Sequence, residues 1–252
     1  MFFKLFNKDK DLLKNYENLK ISMDGKSYKE YVIAKMDFLM RMYHMNKLEN
    51  LRNLKFLEKM GAAVTNSHVV KPSGEHAKTS FTKYKLYPHI KETFYVAKTI
   101  AKQFKDDEVG AVIGLATGGD ILSELVAYQL GKITKKKVLS FYIKKNYYNG
   151  SFVFRDKSNN ELIKNKRVLF VDDTIDTGKE AQGFISFLRE LNIKVIGMGV
   201  ICTRNGILAE NLGVPKFYTF ITNEDKINSF MPEDCPMCKR GVPINIEFGI
   251  NT

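Results

Sequence analysis

The chain has 252 residues, with 40 Lys and Arg against 28 Asp and Glu, and a formal net charge of +12. Apolar residues make up 44% of it, charged residues 27%, and only 6 residues are Pro. This balance is typical of a packed globular domain and excludes a fibrous or low-complexity chain. Three Cys and no long apolar run exclude a disulfide framework and a membrane-spanning helix. The short apolar start has no cleavage site after it, so we expect a cytoplasmic protein.

The positive charge is concentrated in one part of the chain. Residues 132–167 hold eleven Lys and Arg and two acidic residues, which leaves a net charge of +9. Such a segment is either a solvated loop or a region that attracts a polyanionic ligand. Nucleic acid, a membrane surface and an anionic small substrate are the three classes of partner that a basic chain suggests.

The first part of the chain is predicted to be helical and then to form short strands. Apolar side chains recur at three- and four-residue steps over residues 27–60, which predicts one or two amphipathic helices. Polar and apolar residues alternate over residues 64–87, which predicts short strands of a small lobe. We interpret residues 1–46 as a helical extension and 47–252 as the main domain. The small lobe of this domain, called the hood below, is expected to consist mainly of residues 61–87, with C-terminal contributions.

From Pro88 onward, short apolar runs alternate with helical patterns. The apolar runs are residues 111–115, 138–143, 168–171, 195–201 and 217–221, and the helical patterns are 89–104, 119–130, 181–191 and 207–212. This alternation predicts an α/β fold with a parallel sheet flanked by helices on both faces. Ligands bind such sheets at the carboxyl ends of the strands. The loops to search therefore begin at Gly114, Lys144, Asp172 and Thr203.

The strongest functional motif follows the apolar run at 168–171. It consists of Asp172 and Asp173, a turn with Thr177 and Gly178, and a predicted helix. A helix N-terminus presents unpaired N–H groups, so this turn is suited to hold a phosphate. The two carboxylates are suited to hold sugar hydroxyls or, through water, Mg²⁺. Asp and Thr also cap helices without any ligand, but the strand before the pair and the Thr-Gly after it favour a binding site.

This motif resembles the signature of the type I phosphoribosyltransferase family, in which an apolar strand precedes two acidic residues and Thr-Gly. The resemblance implies that Asp172 and Asp173 bind the ribose hydroxyls of phosphoribosyl pyrophosphate and take part in catalysis. It implies that the turn of Thr177, Gly178 and Lys179 holds the 5′-phosphate. It also implies Mg²⁺ as a cofactor, bound through the substrate near the acidic pair and not directly by the protein.

Further segments make residues 47–249 similar to the orotate branch of that family. Ser73, Gly74 and His76, ahead of Lys83, resemble the hood segment that closes over orotate. Arg204 stands where orotate enzymes carry an arginine that pairs with the carboxylate of the base. A planar guanidinium suits a carboxylate, so the chemistry agrees with the resemblance.

Two loops resemble the parts of the family that bind pyrophosphate. The first, called the glycine loop below, follows the run at 111–115 and contains Thr117, Gly118 and Gly119. Its glycines let backbone N–H groups approach an anion. The second is a mobile loop that brings cations onto the leaving group, often across a dimer interface, and its candidates are Lys144, Lys145 and Arg155. The resemblance therefore implies a homodimer and catalysis by positioning and charge stabilisation.

Two residues depart from the orotate pattern. Asp176 stands where orotate enzymes usually have Thr, and the run around it looks like hypoxanthine-guanine enzymes, in which that Asp faces the purine. An Asp beside anionic orotate is repulsive unless a cation such as Arg204 offsets it. Glu180 stands where the family usually has Ser or Thr, and it opposes the phosphate if it points into the turn.

The C-terminal pair Cys235 and Cys238 has the spacing of half a zinc site. The third Cys is Cys202, and the four His show no partner spacing along the chain, so we favour a structural turn over a zinc site. A Cys-Pro-x-Cys tail followed by Gly-Val-Pro also looks like the C-terminal end of one group of orotate enzymes.

The predicted reaction is the Mg²⁺-dependent transfer of phosphoribose from phosphoribosyl pyrophosphate to orotate. A purine or another base as the acceptor is the alternative that Asp176 suggests. A non-catalytic regulator that binds RNA or DNA through its positive charge is the alternative from another class. The basic cluster adjoins the predicted active-site loop, which favours the enzyme, with no nucleic-acid or membrane partner.

Overall fold

The computed structural model describes residues 10–71, 73–146, 148, 150–154, 156, 158–204, 207–223 and 229–248. The chain divides into two compact units, Met1–Arg52 and Asn53–Thr252. This division lies six residues beyond the boundary at residue 46 that we expected from the sequence. Within the described ranges, no helix combines the length and the apolar character needed to cross a membrane.

Two helices occupy most of the first unit. They are α1 (Lys10–Ser22) and α2 (Tyr28–Lys59). A capping box begins α2, because the Ser27 N–H donates to Glu30 Oε2 at 2.8 Å and the Glu30 N–H donates to Ser27 Oγ at 3.3 Å. The hydroxyl oxygens of Tyr16 and Tyr31 lie 2.9 Å apart. The pattern over residues 27–60 thus forms one continuous helix.

The second unit alternates strands and helices. Its strands are β1 (Ala63–Val64), β2 (Val69–Val70), β3 (His76–Ala77), β4 (Ser80–Phe81), β5 (Ala111–Leu115), β6 (Leu139–Lys145), β7 (Phe152–Phe154), β8 (Arg167–Ile175), β9 (Lys194–Arg204), β10 (Phe217–Asn223) and β11 (Ser229–Phe230). Its helices are α3 (Lys83–Leu86), α4 (Ile90–Gln103), α5 (Gly119–Thr134), α6 (Asn159–Ile163), α7 (Lys179–Glu190), α8 (Ala209–Leu212) and α9 (Pro236–Lys239), with a 3₁₀ turn at Pro232–Asp234.

A six-stranded sheet organises this unit, in the order β10-β9-β8-β5-β6-β7. All neighbouring strands are parallel except β7, which runs antiparallel to β6. The chain places β6 on one side of β5 and β8 on the other, so the strand order reverses next to β5. Ligands bind in the crevice at such a reversal, outside the carboxyl ends of the strands. The predicted α/β fold with a parallel, helix-flanked sheet is confirmed.

Both faces of the sheet are buried. Along β8, Val168 and Phe170 belong to the apolar cluster that includes α7, and Leu169 and Val171 belong to the cluster that includes α4 and α5. This follows from the alternation of side chains along a strand. The Phe170 ring lies 4.7 Å from that of Phe184 in α7. Burial of each large apolar side chain contributes about 1.5–3 kcal/mol, which holds β8 rigidly in the middle of the sheet.

Short strands form the hood above the sheet's carboxyl edge. The hood consists of β1–β4 together with β11: β1 pairs with β4, and β3 lies between β2 and β11, all antiparallel. Each of these strands is two residues long. Strands this short contribute few ladder hydrogen bonds, so other contacts have to hold the hood together.

The acidic pair lies inside a strand, which corrects the prediction that the strand ends at Val171. β9 continues to Arg204 and pairs with β8 beyond that point, with Asp172 opposite Val200 and Thr174 opposite Cys202. The polar residues of β8 therefore gain regular backbone hydrogen bonds. The continuous apolar run ends at Val171, four residues before the strand ends at Ile175.

Gly114 is required where β5 meets the start of α5. A Cβ on Gly114 would lie 1.8 Å from the carbonyl oxygen of Gly119, whereas a Cβ on Gly183 in α7 would lie 3.9 Å from the Phe152 ring. We expect Gly114→Ala to lower the free energy of unfolding by about 3 kcal/mol or more, because the backbone has to move. Gly183→Ala is the matched control and should raise it by about 0.5–1 kcal/mol. Urea denaturation measures both, and equal stabilities would contradict this close approach.

Candidate active site

The glycine loop connects β5 to α5 at the point where the strand order reverses. Its Gly118 has φ +137°, in a region that favours glycine. A Cβ on Gly118 would lie 2.6 Å from Lys83 Nζ and 2.7 Å from Asp173 Oδ1. The loop backbone thus lies directly against a lysine and a carboxylate. A side chain at this position would separate the three groups.

Three side chains hold the glycine loop in place. Lys83 Nζ donates to the carbonyl oxygen of Thr117 and lies 3.2 Å from Asp173 Oδ2. The Tyr87 hydroxyl donates to the carbonyl oxygen of Gly118 at 2.7 Å. The Gly118 N–H donates to Asp120 Oδ1 at 2.7 Å. Lys83 therefore links the hood, the glycine loop and the acidic pair.

The two carboxylates of the acidic pair occupy different environments. Asp172 Oδ1 accepts a hydrogen bond from the Asp173 N–H at 2.9 Å, while Asp173 faces Lys83. Burial raises the pKa of Asp172 well above its usual range, and the neighbouring Asp173 raises that pKa further. Burial, followed by the charges of Asp173 and Asp172, also raises the pKa of Tyr87. Tyr87 thus stays protonated and donates to the loop.

The predicted phosphate turn leads from β8 into α7. Gly178 adopts a left-handed conformation with φ +78° immediately before the helix begins at Lys179. Thr177 and Lys179 are exposed, and the Lys179 N–H points towards Thr177 Oγ1 at 3.5 Å. The turn and the start of α7 are therefore partly exposed, and the Lys179 N–H already has Thr177 Oγ1 as an acceptor.

Arg204 lies at the end of β9 and faces Asp176 in the turn after β8. Arg204 Nη1 is 3.9 Å from Asp176 Oδ2. Both the hood and the sheet line a cavity of about 230 Å³ beside Arg204. Its walls are Val70, Lys71, Ser80, Phe81, Thr82, Lys83, Tyr84, Asp173, Thr174 and Arg204. Asp176 therefore has a cation nearby that offsets its charge.

Lys144 and Lys145, which we expected on a mobile loop, are instead the last two residues of β6, because they pair with β7, and the segment after them is described only in part. Lys145 Nζ lies 2.6 Å from Glu180 Oε1, so Glu180 is directed towards β6. Lys144 is exposed on the opposite face of β6, because neighbouring residues of a strand alternate. Arg155 lies outside the described residues.

Some contributors were missed from the sequence. Tyr87 and Asp120 hold the glycine loop, and Lys71 lies at the cavity wall although it is nearly buried. Two signals were available in the sequence: Lys71 directly follows two valines, and Asp120 directly follows two glycines. His76, which we expected near the base, contacts Cys238 instead, at 3.2 Å from its Sγ.

Comparison with known proteins agrees with this geometry. The model of the family described as "Phosphoribosyl transferase domain" matches residues 85–233. The chain belongs to the phosphoribosyltransferase family. An orotate phosphoribosyltransferase of Caldanaerobacter subterraneus subsp. tengcongensis is 31% identical over 199 residues, which cover 78% of this chain and 96% of that protein. One of Thermotoga maritima is 30% identical over 189 residues, which cover 75% of this chain and 93% of that protein.

Solved structures show the same fold as this phosphoribosyltransferase. An orotate phosphoribosyltransferase of Aeropyrum pernix matches with a TM-score of 0.52 at 22% identity, over 68% of this chain and 93% of that one. One of Mycobacterium tuberculosis matches with a TM-score of 0.53 at 18% identity, over 68% of this chain and 95% of that one. The family predicted from the acidic-pair motif is confirmed.

The raised pKa of Asp172 predicts a pH-dependent cost to folding. Below about pH 3.9, the usual pKa of Asp, the carboxyl is protonated in both states and the cost is absent. As the pH rises from there towards the raised pKa, the unfolded chain releases its proton first, and stability is lost. We therefore expect Asp172→Asn to stabilise the protein at pH 7 and to have little effect at pH 3.5.

Urea denaturation in magnesium-free buffer at the two pH values measures this difference. The exposed Asp106→Asn is the matched control and should change stability equally little at both. An Asp172→Asn protein that is less stable than wild type at pH 7 would contradict the burial of an unfavourable carboxylate.

Proposed function

We propose that this chain is an orotate phosphoribosyltransferase, which transfers phosphoribose from phosphoribosyl pyrophosphate to orotate and forms orotidine 5′-phosphate and pyrophosphate. One observation carries the proposal. The acidic pair, the glycine loop and Arg204 converge on the crevice between sheet and hood. Lys83 contacts both the acidic pair and the glycine loop, and it lines the same cavity as Arg204. The donor and a carboxylate-bearing base therefore have adjacent places.

Each group of the donor, phosphoribosyl pyrophosphate, has a binding partner in the protein. The α7 N-terminus with Thr177, Gly178 and Lys179 takes the 5′-phosphate, because unpaired N–H groups and a lysine face an anion there. The acidic pair accepts hydrogen bonds from the ribose hydroxyls. The glycine loop and Lys83 take the pyrophosphate, since backbone amides and an ammonium group lie together.

On the acceptor side, Arg204 binds the carboxylate of orotate. A guanidinium holds a carboxylate with two parallel hydrogen bonds, a geometry that an uncharged base does not offer. Lys71 and Lys83 line the same cavity, where Lys71 pairs with Glu75 at 3.5 Å and Lys83 with Asp173 at 3.2 Å, so a bound carboxylate would share these ammonium groups with the two acids. Asp176 lies beside Arg204, which offsets its negative charge, so Asp176 does not exclude anionic orotate. When no base is bound, Asp176 in turn balances the charge of the arginine. This pairing favours orotate over a purine.

The residues of the protein act by positioning and by stabilising charge. The bond from the ribose carbon to pyrophosphate breaks through an oxocarbenium-like state, and negative charge builds on the leaving group. In the proposed mechanism Lys144 and Lys145, at the end of β6, and Arg155 supply positive charge to the leaving group, and in the proposed homodimer this segment reaches the neighbouring site. No protein nucleophile is required, and the cytoplasm is the proposed location.

The acidic pair fits Mg²⁺ by its chemistry. Carboxylate oxygens are the ligands that this cation prefers, and Asp173 Oδ2 already attracts the Lys83 ammonium at 3.2 Å. Asp172 and Asp173 would hold the ion through water and the ribose hydroxyls, with no direct protein ligand. The bound ion would supply positive charge next to the pyrophosphate.

Release of pyrophosphate with a panel of bases tests the proposed function. We expect turnover with orotate and none with hypoxanthine, guanine, adenine or uracil. Arg204→Ala should lower kcat/KM for orotate roughly 10- to 100-fold, because a hydrogen bond to a charged group contributes about 1.5–3 kcal/mol. Binding of phosphoribosyl pyrophosphate should stay within about twofold of wild type. Turnover with a purine would reassign the acceptor, and an unchanged kcat/KM would remove Arg204 from the site.

The contact between Lys145 and Glu180 predicts that Glu180 weakens the binding of phosphoribosyl pyrophosphate. Glu180 pairs with Lys145 at the end of β6 and places a carboxylate at the start of α7. Glu180→Gln should therefore tighten binding of phosphoribosyl pyrophosphate about 3- to 10-fold, since it frees Lys145 and removes a like charge near the phosphate. Glu190→Gln, at the exposed far end of α7, is the matched control. Weaker binding in Glu180→Gln, measured by calorimetry, would show that the pair assists the donor instead.

A further inference from the structure

Four side chains that attract metal ions meet at the edge of the hood, away from the cavity lining. They are His68, His76, Cys235 and Cys238, called the His-Cys cluster below, and their ligand atoms all lie within 4.8 Å of one another. His68 directly precedes β2 and His76 begins β3. The two thiols come from the turn before α9 and from α9 itself, more than 150 residues further along the chain.

The nitrogen–sulfur distances within the cluster are close to those of a tetrahedral zinc site. Zn–S bonds of about 2.3 Å and Zn–N bonds of about 2.0 Å place neighbouring nitrogen and sulfur ligands about 3.5 Å apart. His68 Nε2 lies 3.6 Å from the sulfur of Cys235 and 3.6 Å from that of Cys238. His76 Nδ1 lies 3.2 Å from Cys238 Sγ and 2.8 Å from His68 Nε2.

A backbone carbonyl orients one of the histidines for metal binding. His68 Nδ1 lies 2.7 Å from the carbonyl oxygen of Val242, which can only accept a hydrogen bond. Nδ1 therefore carries the proton and Nε2, which faces the cluster, presents its lone pair. Metal-bound histidines usually donate their second ring N–H to an oxygen in this way, which fixes the tautomer and the ring orientation.

We infer that the His-Cys cluster binds one Zn²⁺ ion as a structural site. Two thiolates and two imidazoles are the ligand set that zinc prefers, and four protein ligands leave no position for a substrate. Three of the four residues are buried, which suits a closed site. The Cys235 and Cys238 segment does form a turn, as the sequence favoured, and this turn also delivers two ligands.

The site joins two parts of the hood that are distant in sequence. The strands β2, β3 and β11 are two residues each, so they need a link that their hydrogen bonds do not supply. A zinc ion would tie β2 and β3 to the C-terminal turn. Val70 and Lys71 follow His68 along β2 and line the cavity, so the ion would also hold one wall of the active site.

The metal content of the full-length chain tests this inference. The protein is purified from zinc-supplemented medium, passed through a desalting column with a weak chelator and analysed by elemental mass spectrometry. We expect one zinc per chain. Exchange for Co²⁺ should give the intense visible bands of a tetrahedral cobalt site, with thiolate-to-cobalt charge transfer. A chain that holds no zinc after this treatment, and that takes up none from added Zn²⁺, would overturn the inference.

Variants separate the cluster from nonspecific binding. Cys238→Ser, at an exposed position, and His76→Gln should each weaken zinc binding at least about 100-fold, because each removes a direct ligand. Cys202→Ala and His89→Gln remove the same residue types outside the cluster and should keep one zinc. Circular dichroism verifies the fold of every variant. Equal zinc content in all of them would place the metal elsewhere and overturn the proposal.

Thiol reactivity gives a further readout that does not depend on activity. In the wild type, Cys235 and Cys238 should react with a chromogenic disulfide slowly until a strong chelator is added. Cys202 is buried and burial raises the pKa of its thiol to about 12, so it should react slowly with or without the chelator. Two thiols that react at once, before any chelator, would contradict a bound metal.

Discussion

Two carboxylates are adjacent at the carboxyl edge of the central strand, and the surrounding structure counters their repulsion. Asp172 is half-buried within β8, and Asp173 faces the Lys83 ammonium at 3.2 Å. The same ammonium contacts the carbonyl oxygen of Thr117, so one cation satisfies an acid and a loop together. The glycines at 114, 118 and 119 leave the space for this arrangement. The site is therefore destabilised when it contains no ligand, and a ligand that brings positive charge or hydroxyl groups relieves this cost.

The sequence predicts the sheet well because its strands are apolar on both faces. Each predicted apolar run falls largely within an observed strand, and the run at 111–115 coincides with β5. The ends of β8 and β9 were not predictable in this way. They extend past the apolar runs by pairing with each other, and this pairing depends on the neighbouring strand, not on local hydrophobicity. The acidic-pair motif located the crevice because its residues are consecutive in sequence.

Features that depend on long-range contacts were not visible in the sequence. Glu180 was ambiguous until its partner was known, since Lys145 lies 35 positions earlier. The His-Cys cluster is the clearest case. Two cysteines suggested half a zinc site, but the histidines are eight residues apart and more than 150 residues away from the cysteines. The pairing of β3 with both β2 and β11, together with the contact of His68 with Val242, brings the four residues together.

Lys83 couples the hood to the acidic pair, so binding of one ligand can change the affinity for another. This residue follows the hood strand β4 and holds Asp173, so a ligand that takes over Asp173 also releases the base of the hood. Thermodynamic linkage makes the effect reciprocal: a second ligand that fixes the hood changes the affinity for the first by the same factor. Two substrates that both approach this ammonium group would then change each other's affinity through it.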